Sequence, residues 1–298
     1  MTYSIVALDS ETGELGVGVQ THRPTVGAVV PWVEPGIGAV ATQSKANVAF
    51  GRQALELMKT GLSAQAAMDA ILAGDSDQSI RQVGIIDSSG ATASHTGDNC
   101  IPEFGSVQGD GFSAQANMML NHGVPEAMAE VFTASTGALV DRILDALDAA
   151  EAVGGDIRGR QSVGIYVAAP PSGPGSESVG VPPSGIWDLR IDNSGETLID
   201  IRKLKNTIQA EMLLRTDEAN TSLQGANAAY NAAVALAPTD ELTFWFGVRN
   251  LVISLNDNDS AEAVLKPLLS QKPNWLELLH RLPELPQGAE IFNRFPRS

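Results

Sequence analysis

Short runs of alternating apolar and polar residues, each closed by turn chemistry, dominate residues 1–205. Tyr3–Leu8 and Leu15–Thr21 flank DSETGE, where Thr12-Gly13 supplies the turn, and predict a β-hairpin. Val26–Trp32 and Ile37–Thr42, split by Glu34-Pro35-Gly36, predict two further strands. The period then changes. Phe50, Leu55 and Met58 mark a helix over Val48–Thr60, and a second helix starts at the cap Ser63 and stops at Gly74. Strands return at Gln82–Asp87, Ala91–His95 and, around GDG, Ser106–Gln115.

Helical spacing reappears over Pro125–Ala134 and Thr136–Val153. The second of these sets Leu139, Ile143, Leu144 and Leu147 against Asp141, Asp145 and Asp148. Gln161–Ala169 reads as a strand, followed by a Pro/Gly/Ser loop from Pro170 to Gly185. Trp187–Asp192 and Thr197–Arg202 predict a closing hairpin that turns at Asn193-Ser194-Gly195. Hairpins and helices in separate blocks argue for antiparallel sheets with helices on their faces rather than βαβ alternation. The expectation is an α+β fold of two face-to-face sheets between helix layers, αββα.

Residues 206–298 carry little strand signal and read as a small all-α domain. Pro238 and Pro273 stand 35 residues apart, close to the roughly 34-residue period of tetratricopeptide repeats. Phe244, Trp245, Phe246 and Trp275 are either a ligand platform or, as is commoner, the core of a small helical domain. The predicted domains are 1–205 and 206–298.

Charge sharpens this division. Residues 1–205 hold 24 acids and 12 bases, and residues 206–298 hold 11 and 7, within a net charge of −16. Such a balance argues against nucleic acid and anionic lipid as partners. No apolar run reaches the roughly 18–20 residues of a membrane span, and MTYSIVALDS lacks a basic leader region, so the expected location is cytoplasmic. Cys100 is the single cysteine, and His22, His95, His122 and His280 are not paired at helical spacing, so no metal site is readable. No P-loop or dinucleotide fingerprint is present, and no cofactor is expected.

Thr2 is the most informative position. Initiator methionine is removed when a small residue follows, which would leave the Thr2 hydroxyl beside its own α-amine, with an ordinary pKa of about 7.7–8.0. Nucleophile and base would then come from one residue.

Four segments, TYSIVALDSETGELGVGVQTH, VGAVVPWVEPGIGAVATQ, GDGFSAQANMM and GGDIRGRQS, resemble the Ntn-hydrolase-like family catalogued as domain of unknown function 1028, in order over residues 2–203. The resemblance implies a four-layer αββα Ntn-hydrolase-like sandwich with Thr2 as the N-terminal nucleophile. The C-terminal segment resembles the tetratricopeptide-like extension of some members, which is associated with peptidoglycan binding. His22 falls where proteasome-type relatives place an aspartate, and would orient the hydroxyl or simply close a strand end. Gln43, Ser44 and Asn47 end the fourth strand, where backbone N–H groups could line an oxyanion hole, and Asn117 could add its amide or cap a helix. Asp156, Arg158, Arg160 and Gln161 form a loop able to bind a substrate carboxylate or to pair internally. Proteasome-type enzymes keep a lysine on the third strand. None precedes Lys45 here, so proteolysis is not implied.

The expected function is hydrolysis of a C–N bond in a small amide, ureido or lactam substrate, by a chain that pairs with its own copies. The alternative is a non-catalytic scaffold whose helical domain binds a partner protein or cell-wall glycan.

Overall fold

The computed structural model describes residues 2–170 and 186–297, so the loop expected over 170–185 lies, apart from Pro170, outside the described residues. The chain divides into two compact units, Met1–Arg202 and Lys203–Ser298. The first is α+β, with antiparallel sheets and helices. In chain order it contains β1 (Thr2–Leu8), β2 (Leu15–Thr21), β3 (Pro31–Glu34), β4 (Gly38–Ser44), α1 (Ala49–Lys59) and α2 (Ala64–Ala73). There follow β5 (Arg81–Asp87), β6 (Thr92–Thr96), β7 (Gly105–Gly109), β8 (Phe112–Asn117), α3 (Val124–Ala134), α4 (Leu139–Ala152), β9 (Ser162–Ala168) and β10 (Ile186–Ile191).

Six strands pair in the order β10-β9-β2-β1-β8-β7, and four in the order β3-β4-β5-β6. In the larger sheet Tyr3 stands opposite Gln20, and Thr2 opposite Asn117. That register sends Tyr3, Ile5 and Ala7 to one face of β1, and Thr2, Ser4 and Val6 to the other. Helices α3 and α4 cover the first face, and Tyr3 reaches Glu151 on α4 at 2.5 Å. Helices α1 and α2 cover the smaller sheet through Phe50, Leu55, Met68 and Ile71, packed on Val40, Val83 and Ile85. Ser63 caps α2 by accepting from the Ala66 N–H at 3.3 Å.

Val6, Val17, Val19, Ala39, Ala41 and Ile86 pack together between the sheets. Each large aliphatic chain buried there stabilises the fold by about 1.5–3 kcal/mol relative to exposure. At the Thr2 end this apolar layer gives way to buried polar side chains, among them Ser4, Gln43, Gln82, Gln115 and Asn117.

Two predicted strands are corrected. Val26–Trp32 does not run extended: Val26–Ala28 forms a short 3₁₀ turn, and the strand starts only at Pro31. Close approach explains this, because Gly27 packs on Gly164 of β9, where an added Cβ would lie 2.6 Å from the Gly27 Cα. The Ser162 hydroxyl also accepts from the Val26 N–H at 3.1 Å, which holds the turn. Thr197–Arg202 is not a strand but the start of helix α5 (Thr197–Leu213). Leu198 and Ile201, three apart, are buried while Ile199 is half exposed, so the period is helical despite the alternating letters. Arg202 pairs with Asp145 at 2.9 Å and also with Asp148, which occupies two of the acids on the polar side of α4.

In the second unit the described elements are α6 (Asp217–Thr221), α7 (Leu223–Leu236), α8 (Asp240–Trp245), a π-helical stretch Phe246–Ser254, α9 (Asn258–Gln271), α10 (Pro273–Arg281) and α11 (Glu290–Arg294). Phe244 and Phe246 are fully buried, Tyr230 stacks on Phe246 at 4.1 Å, and Trp275 meets the Phe244 ring edge-on. The aromatic group is therefore core. No helix among the described residues is long and apolar enough to cross a membrane.

Candidate functional site

Thr2 begins β1 at the sheet end where the interlayer is polar, and only 5% of its surface is exposed. Its Oγ1 donates to Thr21 Oγ1 at 3.2 Å, on the neighbouring strand β2. Its carbonyl accepts from Gln43 Nε2 at 3.2 Å and Asn117 Nδ2 at 3.4 Å. Thr2 is thus clamped from β2, β4 and β8. Its side chain lines a cavity of about 390 Å³.

Behind the clamp lies Gln82, fully buried on β5. Its Oε1 accepts from both Gln43 Nε2 and Asn117 Nδ2 at 2.7 Å. Its own amide donates to Ala116 O at 2.9 Å, Thr96 Oγ1 at 2.9 Å and Gly105 O at 3.2 Å. Gln43 Oε1 and Asn117 Oδ1, both buried, find no donor among the described residues. Two orphan acceptors sit on the very side chains that already touch Thr2.

The predicted residues separate into two groups. Gln43, Ser44 and Arg158 line the Thr2 cavity, and Ser44 holds a left-handed backbone at φ 64° that turns the chain out of β4. Asp156, 2% exposed, fixes Arg158 by accepting from its Nε at 3.0 Å and Nη2 at 2.8 Å. The same carboxylate accepts from the His22 backbone N–H at 3.0 Å. Internal pairing of Asp156 with Arg158 is therefore the geometry found.

The other predicted residues stand apart from the cavity. His22 does not line it, and its buried Nδ1 has no partner among the described residues. Asn117 does not aim its amide at the cavity either, because both amide hydrogens are directed to Gln82 and the Thr2 carbonyl. Asn47 accepts from the Ala49 N–H at 3.2 Å to start α1 and lines a separate cavity of about 570 Å³. Arg160 is taken by Glu151 at 2.9 Å and Glu196 at 3.3 Å. Gln161 donates to Asn193 at 3.2 Å. Proximity in sequence placed Arg160 and Gln161 beside Arg158, but a turn intervenes: the Gly159 N–H donates to Asp156 O at 2.8 Å and Gly159 is left-handed at φ 94°.

Sequence reasoning missed Thr21, Gln82, Arg23 and Lys45. Arg23 and Lys45 both line the Thr2 cavity, from the loop after β2 and the loop after β4. A further cavity of about 410 Å³ around Glu103 and His122 contains no hydroxyl nucleophile. The described residues contain no cluster of three or more His, Cys, Asp or Glu able to hold a metal ion.

The arrangement offers a rigid hydroxyl, polar neighbours on three strands and an enclosed space before it. Those are the elements of acyl transfer to oxygen. The model of a family of unknown function, DUF1028, matches residues 2–201. The crystal structure of protein SPO2555 from Silicibacter pomeroyi, a DUF1028 family-model protein, is 28% identical, with a TM-score of 0.62 over 74% of this chain and 88% of that one. Anbu, an ancestral β-subunit from Yersinia bercovieri, matches 72% of this chain and 97% of its own at 9% identity and a TM-score of 0.33, a likeness that carries no argument. No curated protein matches the chain.

Proposed function

The chain belongs to the DUF1028 family, and on that premise we propose that it is an Ntn-type amidohydrolase on a four-layer αββα sandwich, with Thr2 as nucleophile. The observation that carries this reading is Thr2 at the start of β1, its carbonyl clamped by Gln43 and Asn117, its hydroxyl bonded to Thr21, and its side chain on the wall of a cavity. Cleavage of the peptide bond before Thr2 frees its α-amine.

The neutral amine takes the hydroxyl proton as Oγ1 attacks the substrate carbonyl carbon. Thr21 Oγ1 holds the hydroxyl in line. In this reading oxyanion stabilisation is assigned to the chain around Ser44–Ala46, which lines the cavity. The C–N bond then breaks, and the departing nitrogen takes the proton from the α-ammonium. Water attacks the resulting acyl-threonine ester, releases the acid and restores Thr2. The substrate is a small amide, ureide or lactam. A space of about 390 Å³ supports a small molecule over a folded peptide. Residues 206–298 are read as a tetratricopeptide-like extension, and the working form as a homo-oligomer.

The test is turnover of a panel of small amides, ureides and lactams by wild type, Thr2→Ala and Thr2→Ser. Wild type and Thr2→Ser should hydrolyse the same compounds, and Thr2→Ala should lose at least about 1,000-fold in kcat. Equal turnover by Thr2→Ala refutes the assignment.

A further inference from the structure

The chain carries 35 acids and 19 bases, yet the Thr2 cavity inverts that balance. None of its fourteen lining residues is acidic, and three, Arg23, Lys45 and Arg158, are cationic. Asp156 neutralises Arg158 from behind, so the excess positive charge rests on Arg23 and Lys45. Both are exposed, and no ion pair joins either side chain to a carboxylate among the described residues. In a protein of net charge −16, two unpaired cations beside a nucleophile are more than a solvated rim. Val26, Val29, Val30 and Val48 supply an apolar wall to the same cavity.

We propose that the Thr2 cavity selects substrates bearing a carboxylate, held by Arg23 and Lys45 while the scissile amide or ureide carbonyl reaches Thr2. The inference rests on the Thr2 reading for the reaction, but not for the binding. Arg23 presents a fork that matches a carboxylate through two N–H groups, and Lys45 adds a point charge. Arg158, locked and neutralised by Asp156, holds its place in the wall and leaves the carboxylate to Arg23 and Lys45. The aliphatic wall accepts the carbon skeleton between the two polar ends. A neutral amide of the same shape leaves the cations unpaired and binds less well.

Calorimetric titration of the full-length Thr2→Ala chain separates binding from turnover. The probes are N-carbamoylglycine, N-acetylglutamate and glutarate, each beside its carboxamide counterpart. At least one acid should bind about tenfold tighter than its amide, with a preference that shrinks as salt rises. The Arg23→Gln/Lys45→Gln double variant should abolish that preference. Both positions are exposed, so the fold is not at stake, and circular dichroism checks it. If no acid outbinds its amide, or the preference survives the double variant, the inference fails. If Thr2→Ala keeps full activity while the acid preference depends on Arg23 and Lys45, the nucleophile assignment falls and the carboxylate site stands.

Discussion

Replacing Gln82 by methionine, which keeps the length of the side chain and removes its polar atoms, tests the internal logic of the site. Gln82 is fully buried and is the common acceptor for Gln43 and Asn117, the two side chains that clamp the Thr2 carbonyl. Methionine leaves Gln43 Nε2, Asn117 Nδ2 and Ala116 O each short of a partner in a place water does not reach. Counting only these three fully buried bonds, of the five that Gln82 makes, at about 1 kcal/mol each, the cost is about 3 kcal/mol. For a unit of this size that lowers Tm by about 6–12 °C. Scanning calorimetry reads the shift, with Gln108→Met as control, because Gln108 is exposed and its bonds are at the surface. The control should move stability by less than about 0.5 kcal/mol. The variant should also lower kcat more than it raises KM, since it loosens the nucleophile and leaves the cavity wall intact. A Gln82→Met protein as stable as Gln108→Met would refute the view that this network holds Thr2 in place.

Three other consequences can be measured. Asp87 is pushed up by burial, but hydrogen bonds from Ser89 Oγ and the backbone N–H groups of Ala64, Ser89 and Ala91 outweigh this and hold its carboxyl below the usual range. A carboxyl lowered in the folded state stabilises above its unfolded pKa, about 3.9, and that contribution is lost as pH falls through the folded value. Asp87→Asn should therefore melt below wild type at pH 7, with a gap that narrows below about pH 4; a constant gap contradicts the assignment. Gly84 on β5 faces Gln115 across the sheets, and an added Cβ would collide with that amide, so Gly84→Ala should cost about 1–3 kcal/mol in denaturant melts. Gly74, with nothing within 4 Å of its would-be Cβ, should tolerate alanine. Arg160→Ala should lower Tm without changing the acid-over-amide preference in titration, because its guanidinium is spent on Glu151 and Glu196.

What could be read from the sequence was what leaves a local pattern. The alternation of Tyr3–Leu8 and the GDG turn fixed strands whose register then brought Thr2 opposite Asn117. Gln82 left no such mark. A polar letter in an alternating strand reads as solvent-facing, and only the second sheet buries it. Arg23, Lys45 and Arg158 lie far apart in sequence and meet because β2 and β4 end, and β9 begins, at the same place. Thr197–Arg202 misled for the opposite reason: its letters alternate, but the burial of Leu198 and Ile201 decides for a helix. Asn117 lies opposite Thr2, but its amide is directed to Gln82 and the Thr2 carbonyl, since donor direction is a property of the pair and not of the residue.

The central claim is that Thr2 becomes an N-terminal residue and attacks through its own hydroxyl. Intact mass spectrometry of purified, active protein, combined with N-terminal sequencing, addresses it most directly. The expected result is a chain that begins at Thr2, lighter by one methionine residue, in proportion to its activity. A fully active protein that retains Met1 would contradict it, because a Thr2 nitrogen held in a peptide bond cannot take the hydroxyl proton.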